Sequence, residues 1–265
     1  MSTTNQSNSR NHQFDSVLEK INEIVEKTQG EDYIYRGESE LYPQVCSNLY
    51  RAYLRLGVKD PAEAAKESQE LIVGEAKKFL DENNFYDTFL PTISPYASLI
   101  SDNRDRFEIL AQLQHYGGQT NLIDFTTDYL VALYFACTHS DEKCGRVICL
   151  QINDERKDGE FVSTSKGAEE HKVLKMSTTI KRAVFQKSRF VETDNGVIEI
   201  EEVDTIIICK SLKKQLRSYL EVYHGISANN IYGDIQGFIQ GLDMYCHRKF
   251  RPLSNIRLCY NDNLN

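Results

Sequence analysis

Apolar positions at Phe14, Val17, Leu18, Ile21, Ile24 and Val25 recur every three to four residues, which predicts an amphipathic helix over 12–28 ending before Gly30. The period then changes. "YIYRG" at 33–37 alternates as a strand does, and Asp60-Pro61-Ala62-Glu63 supplies an N-cap, a first-turn proline and a first-turn carboxylate for a helix from 61 to about 82. A further helix is expected over 104–116, closed by Gly117-Gly118, followed by a short strand in "TNLIDFT" and by "DYLVALYFACTH", a helix apolar on most sides and therefore buried. "RVICLQI" reads as a strand, and "RFVET" with "VIEIEEV" as a hairpin around Asp194-Asn195-Gly196. "TIIIC" is a continuous apolar run, which predicts a central strand. Ser211 is expected to cap a helix running to His224 and stopping at Gly225, with a last helix over about 234–247.

No repeat or low-complexity linker divides these elements. The expected fold is α+β, a single domain with a mixed central sheet flanked by helices, with residues 1–11 as a flexible tail, 12–250 as the domain and 251–265 as a second tail. A chain of 265 residues with 40% hydrophobic residues is long enough to bury such a core.

Charge and composition narrow the partners. A formal net charge of −8 argues against nonspecific binding to nucleic acid or an anionic membrane. The seven cysteines are scattered and form no C-x-x-C pair, and the first dozen residues lack an apolar signal core. A reduced, cytoplasmic setting with no membrane association is the expectation. Phosphate-binding loops, dinucleotide fingerprints, nucleophile elbows and H-x-x-x-H or paired-cysteine clusters are missing, so no metal is expected.

The chemistry concentrates in two stretches. In "YIYRGESELYPQVCSNLYR" a cation, Arg36, interrupts an aromatic strand, which demands an anionic partner from the chain or from a ligand. Gly37 beside it offers a position without Cβ where a flat or phosphorylated ligand can approach the backbone, and Arg51 is a second cation. In "HYGGQTNLIDFTT", His115, Tyr116, Thr120, Asp124, Thr126 and Thr127 surround a double-glycine turn.

"YRGES", "NLYR" and "LQHYGGQTNLIDFTTDYLVALYFA", in that order, closely resemble the FRG domain family, named for its Phe/Tyr-Arg-Gly motif. Asn121 stands where the family usually has arginine, and Phe125 where it usually has tryptophan. The likeness continues through "KRAVFQKSRF" at 181–190 and "HGISANNIYGDIQGFIQGL" at 224–242, covering about residues 33–245. The resemblance implies a bacterial toxin or phage-defence context, with a defence or immunity partner.

The motif order also suggests a remote likeness to ADP-ribosyltransferase folds. That analogy implies NAD as the ligand, with Arg36 and Gly37 positioning the dinucleotide, and His115 or Tyr116 orienting the ring. Gln186 or Glu192 would stand at the late carboxylate position. Arg51, Thr120, Asp124 and Thr126 complete the expected ligand set, and a protein or nucleic-acid acceptor is implied if ADP-ribose is transferred. Gln186 cannot supply negative charge, which leaves Glu192 as the catalytic group or the chain as a noncatalytic nucleotide-binding sensor or interaction module.

Structural roles compete with each assignment. Arg36 can pair with Glu38 or Asp124, His115 can close a helix, Asp124 can organise hydrogen bonds, and Gln186 with Arg182 can fasten a connection to the sheet. Tyr129, Tyr134 and Phe135 read as core, and Glu199, Glu201 and Glu202 as a solvated strand edge.

Overall fold

The protein is described by a computed structural model over residues 3–30, 32–83, 102–153, 163–164, 172–174 and 184–233. The first helix, α1 (Thr3–Lys27), begins earlier than its apolar spacing predicts. Strand β1 (Tyr33–Glu38) and the short β2 (Val45–Cys46) lead into α2 (Asn48–Arg55) and α3 (Pro61–Asn83). Ser47 caps α2 by accepting the Tyr50 amide, and the Asp60 carboxylate accepts the Glu63 amide at the start of α3. Helix α4 (Asp102–His115) is followed by β3 (Leu122–Thr126), α5 (Tyr129–Cys137), β4 (Gly145–Asn153), β5 (Ser163–Thr164), β6 (Lys172–Leu174), β7 (Ser188–Glu192), β8 (Val197–Ile198) and β9 (Asp204–Ile208). Helix α6 (Lys210–His224) stops at Gly225, in the left-handed region at φ 64°, and α7 (Ala228–Ile231) follows. The helix expected over 234–247 lies outside the described residues.

The α+β class is as expected, but every described strand pairing is antiparallel, where the sequence suggested a mixed sheet. The main sheet runs β5-β4-β1-β3-β7-β6, with β9 also on β4. Its strands are apolar on both faces because both faces are covered, a pattern that in sequence imitates a parallel sheet. One face packs under α5, α6 and α1 around Tyr35, Ala132, Leu133, Val147 and Leu216. The other packs Ile34, Ile123, Phe125 and Ile148 against Val45 and Ile198.

Two strand expectations are corrected. Val197–Ile198 does not form a hairpin with β7 but pairs with β2, and Glu199 to Glu202 lead into and form a 3-10 turn over Ile200–Glu202. Gly196, between β7 and β8, is in the left-handed region at φ 75°, where a Cβ would stand 2.7 Å from the Asn121 and Ser47 side-chain oxygens. The run "TIIIC" is not central: β9 pairs with β4, and Ile207 is 40% exposed between buried Ile206 and Ile208.

Helix α5 fixes the geometry of the site. Its Ala132 and Ala136, one turn apart, face Gly37 of β1 and Gly145 of β4. A Cβ on Gly37 would stand 1.8 Å from the Ala132 carbonyl oxygen, and one on Gly145 2.2 Å from that of Ala136. Gly37 therefore lets a helix lie close on the sheet, a structural role beside its place in the lining of the cavity described below.

Candidate functional site

Strands β1 and β3 meet, among the described residues, only at Tyr35 and Thr126, whereas β1 pairs with β4 from Tyr33 to Glu38 and β3 with β7 along its length. The sheet parts beyond that contact. A cavity of about 650 Å³ lies at the parting, within the size range of small-molecule and cofactor sites.

Arg36 closes the gap between the strands. Alternation along β1 turns its side chain to the face opposite Gly37, and its Nη1 donates to the Asp124 backbone oxygen at 2.9 Å, a carbonyl that the diverging β1 leaves unpaired. Its Nε donates to the Glu38 carboxylate at 3.0 Å. Glu38 also accepts from Arg146 at 2.7 Å, and Arg146 reaches the Gln44 carbonyl. All three side chains are removed from water, at 11%, 2% and 6% exposure for Arg36, Glu38 and Arg146. Burial pushes the Arg36 guanidinium down, but the charges of Glu38 and Asp124 more than offset this and hold it above its ordinary value. The triad carries one buried positive charge in excess.

Other cations add to that excess. Asn48, Arg51 and Arg55 on one face of α2 line the cavity, as does His115 at the end of α4; Asp124 is the one carboxylate residue among the described lining residues. Arg51 donates to the Asn48 side-chain oxygen at 2.7 Å and lies over the Tyr42 ring. Burial, then the neighbouring charge of Arg36, lowers its pKa. Gln114 also lines the cavity, while its Nε2 is buried with no hydrogen-bond partner among the described residues.

The structure thus brings together Arg36, Gly37, Arg51, His115, Asp124, Thr126 and Gln186. Thr126 and Gln186 use their polar groups internally: the Thr126 hydroxyl donates to the Gln186 carbonyl at 2.6 Å, and the Gln186 amide donates to the Ile231 carbonyl at 3.1 Å. Three expected site residues lie elsewhere. Tyr116, one residue past the end of α4, is 67% exposed and meets His115 edge to face rather than lining the cavity. Thr120 is fully buried and ties Gln114 to the Leu122 amide. Glu192 is buried at the far end of β7, where it accepts from Arg106 and, at 3.0 Å, from Gln69. Ser188 and Phe190 of β7 line the cavity, and Glu192, two residues further along the strand, does not.

Arg55, Asn48 and Gln114 were not singled out from sequence. The spacing 48, 51, 55 on a helix whose Leu49 and Tyr50 are buried was the available signal. Phe135, expected as core, is partly buried and lines the cavity. Arg182 lies outside the described residues.

The FRG domain family matches residues 31–144. The chain carries an FRG domain. The matched range holds β1, α2, α4, β3 and α5, and hence Arg36, Arg51, His115 and Asp124, whereas the similarities noted at 181–190 and 224–242 fall beyond it. No curated protein and no solved structure matches the chain. Within the FRG domain, the Tyr-Arg-Gly motif joins two roles: its glycine seats α5, and its arginine links β1 to β3 beside the cavity. Among the described residues no group of three His, Cys, Asp or Glu could hold a metal, and no helix is long and apolar enough to cross a membrane.

Proposed function

We propose that the FRG domain of this protein binds a nucleotide of the NAD or ADP-ribose class in the cavity between β1 and β3. The observation that carries the reading is the charge of the lining. Arg36, Arg51 and Arg55 converge on a cavity with Asp124 as its only described carboxylate residue, in a chain whose net charge is −8. Such a cation excess at a concave, partly apolar site suits a phosphorylated small molecule. Phe125 and Phe135 supply apolar surface for a base or nicotinamide ring. With Glu192 engaged by Arg106, binding is the reading that the geometry supports best.

Asp124 supports a second reading. Its exposed side chain lines the cavity, and a carboxylate there would stabilise positive charge developing at a ribose carbon. NAD cleavage would break the bond between nicotinamide and ribose. Water or an acceptor would form the new bond to that carbon, releasing nicotinamide and a proton. A bacterial toxin or phage-defence effector would use either activity on a nucleotide pool.

The test is a melting titration with NAD and with ADP-ribose, coupled to a nicotinamide-release assay. The binding reading expects a rise in Tm that grows with ligand concentration and is lost in Arg51→Gln. Release that disappears in Asp124→Asn while the Tm shift persists would establish the second reading. No shift with either ligand would remove both.

A further inference from the structure

Arg36 is committed to Glu38 and to the Asp124 carbonyl. Arg51 and Arg55 are not committed in this way. They stand one turn apart on α2, on the face that lines the cavity, and among the described residues neither forms a salt bridge with a carboxylate. Arg51 is half-buried beside Arg36 with only the neutral Asn48 oxygen and the Tyr42 ring as partners, while Arg55 is exposed at the mouth. Side chains at i and i+4 have Cβ atoms about 5–6 Å apart, so two guanidinium forks can reach adjacent phosphate groups together. A single phosphate would satisfy one fork and leave the other cation in place.

We propose that Arg51 and Arg55 form a diphosphate clamp, so that the cavity selects nucleoside diphosphates and pyrophosphate-bridged nucleotides over monophosphates. The proposal rests on the nucleotide reading and specifies which part of the ligand confers affinity. Arg36 is in this account a positioning residue, holding β1 to β3 behind the clamp, and the lowering of the Arg51 pKa by burial and by Arg36 is relieved when an anion arrives.

The experiment compares ADP with AMP, and inorganic pyrophosphate with inorganic phosphate, by calorimetry at fixed ionic strength, on the wild type, Arg51→Gln and Arg55→Gln. Thermal melting first confirms that both variants are folded. The expected result is at least tenfold tighter binding of ADP than AMP in the wild type. In Arg55→Gln, ADP falls to the affinity of AMP, which itself changes less than threefold. Equal binding of ADP and AMP by the wild type, or an equal loss of both in Arg55→Gln, overturns the clamp while leaving the nucleotide reading in place. Pyrophosphate binding that needs Arg51 and Arg55, without binding of any nucleotide, supports the clamp and defeats the nucleotide reading. If none of the four compounds binds, both are refuted.

Discussion

Gly37 and Ala132 are in contact so close that a Cβ on the glycine would meet the Ala132 carbonyl oxygen at 1.8 Å, with the Ala136 amide nitrogen at 2.7 Å. Backbone atoms of a buried helix cannot step aside as the end of a flexible side chain can. Gly37→Ala is therefore expected to lift α5 from the sheet and cost about 3 kcal/mol or more. Urea unfolding measures this, and a variant as stable as the wild type would show that α5 does not rest on Gly37. The substitution tests packing separately from ligand binding.

The buried Glu38 carboxylate is the salt-bridge partner shared by two guanidinium groups, Arg36 and Arg146. Glu38→Ala should remove the salt-bridge partner of both, leaving Arg36 only the more distant charge of Asp124, and destabilise by roughly 3–5 kcal/mol. Arg36→Ala should cost less, because Glu38 keeps Arg146, and the Asp124 carbonyl borders a cavity that water can enter. The order of the two unfolding midpoints, Glu38→Ala below Arg36→Ala, is the check. The reverse order would mean that Arg36, not Glu38, organises the triad.

Glu192 holds Arg106 and Gln69, joining β7 to α4 and α3. Glu192→Gln should lower Tm, since among the described residues Arg106 keeps only the more exposed Glu70 as a charged partner. The affinity for any cavity ligand should stay unchanged, because Glu192 does not line that cavity. A tenfold loss of ligand affinity at unchanged Tm would restore Glu192 to the site.

Burial pushes the thiols of Cys137 and Cys149 up to about 12 from an ordinary 9.0. Both are neutral in folded and unfolded chains below pH 9, so their contribution to stability is fully present there. Above pH 9 the unfolded chain ionises them and the folded chain does not, so stability falls as pH rises toward 12. Each thiol contributes up to about 1.4 kcal/mol per pH unit. Unfolding free energy measured from pH 8 to 10 should therefore decline more steeply for the wild type than for Cys149→Ala, and identical slopes would show that the Cys149 thiol does not contribute.

Local signals in the sequence determined the elements. Asp60 and Pro61 start α3, Gly225 ends α6, and the all-round apolar character of "YLVALYFAC" marks α5 as buried, because caps, positive φ and helical periodicity are set by residues near one another in the chain. The cation at Arg36 likewise announced a partner, since no strand buries a guanidinium unpaired.

Pairing and partner choice needed the tertiary structure. Val197–Ile198 was free to pair with β7 until β2 took it, and the sheet read as mixed because periodicity reports that a face is covered, not what covers it. Equally, a glycine in a strand signals a close approach without saying whether a ligand or a helix makes it, and α5 is what approaches Gly37. The sequence alone placed Arg36 and Asp124 in one network and offered Glu192 and Tyr116 as neighbours. Only the path of β7 and the end of α4, which point those two side chains elsewhere, separated them from the cavity that Arg51 and Arg55 line.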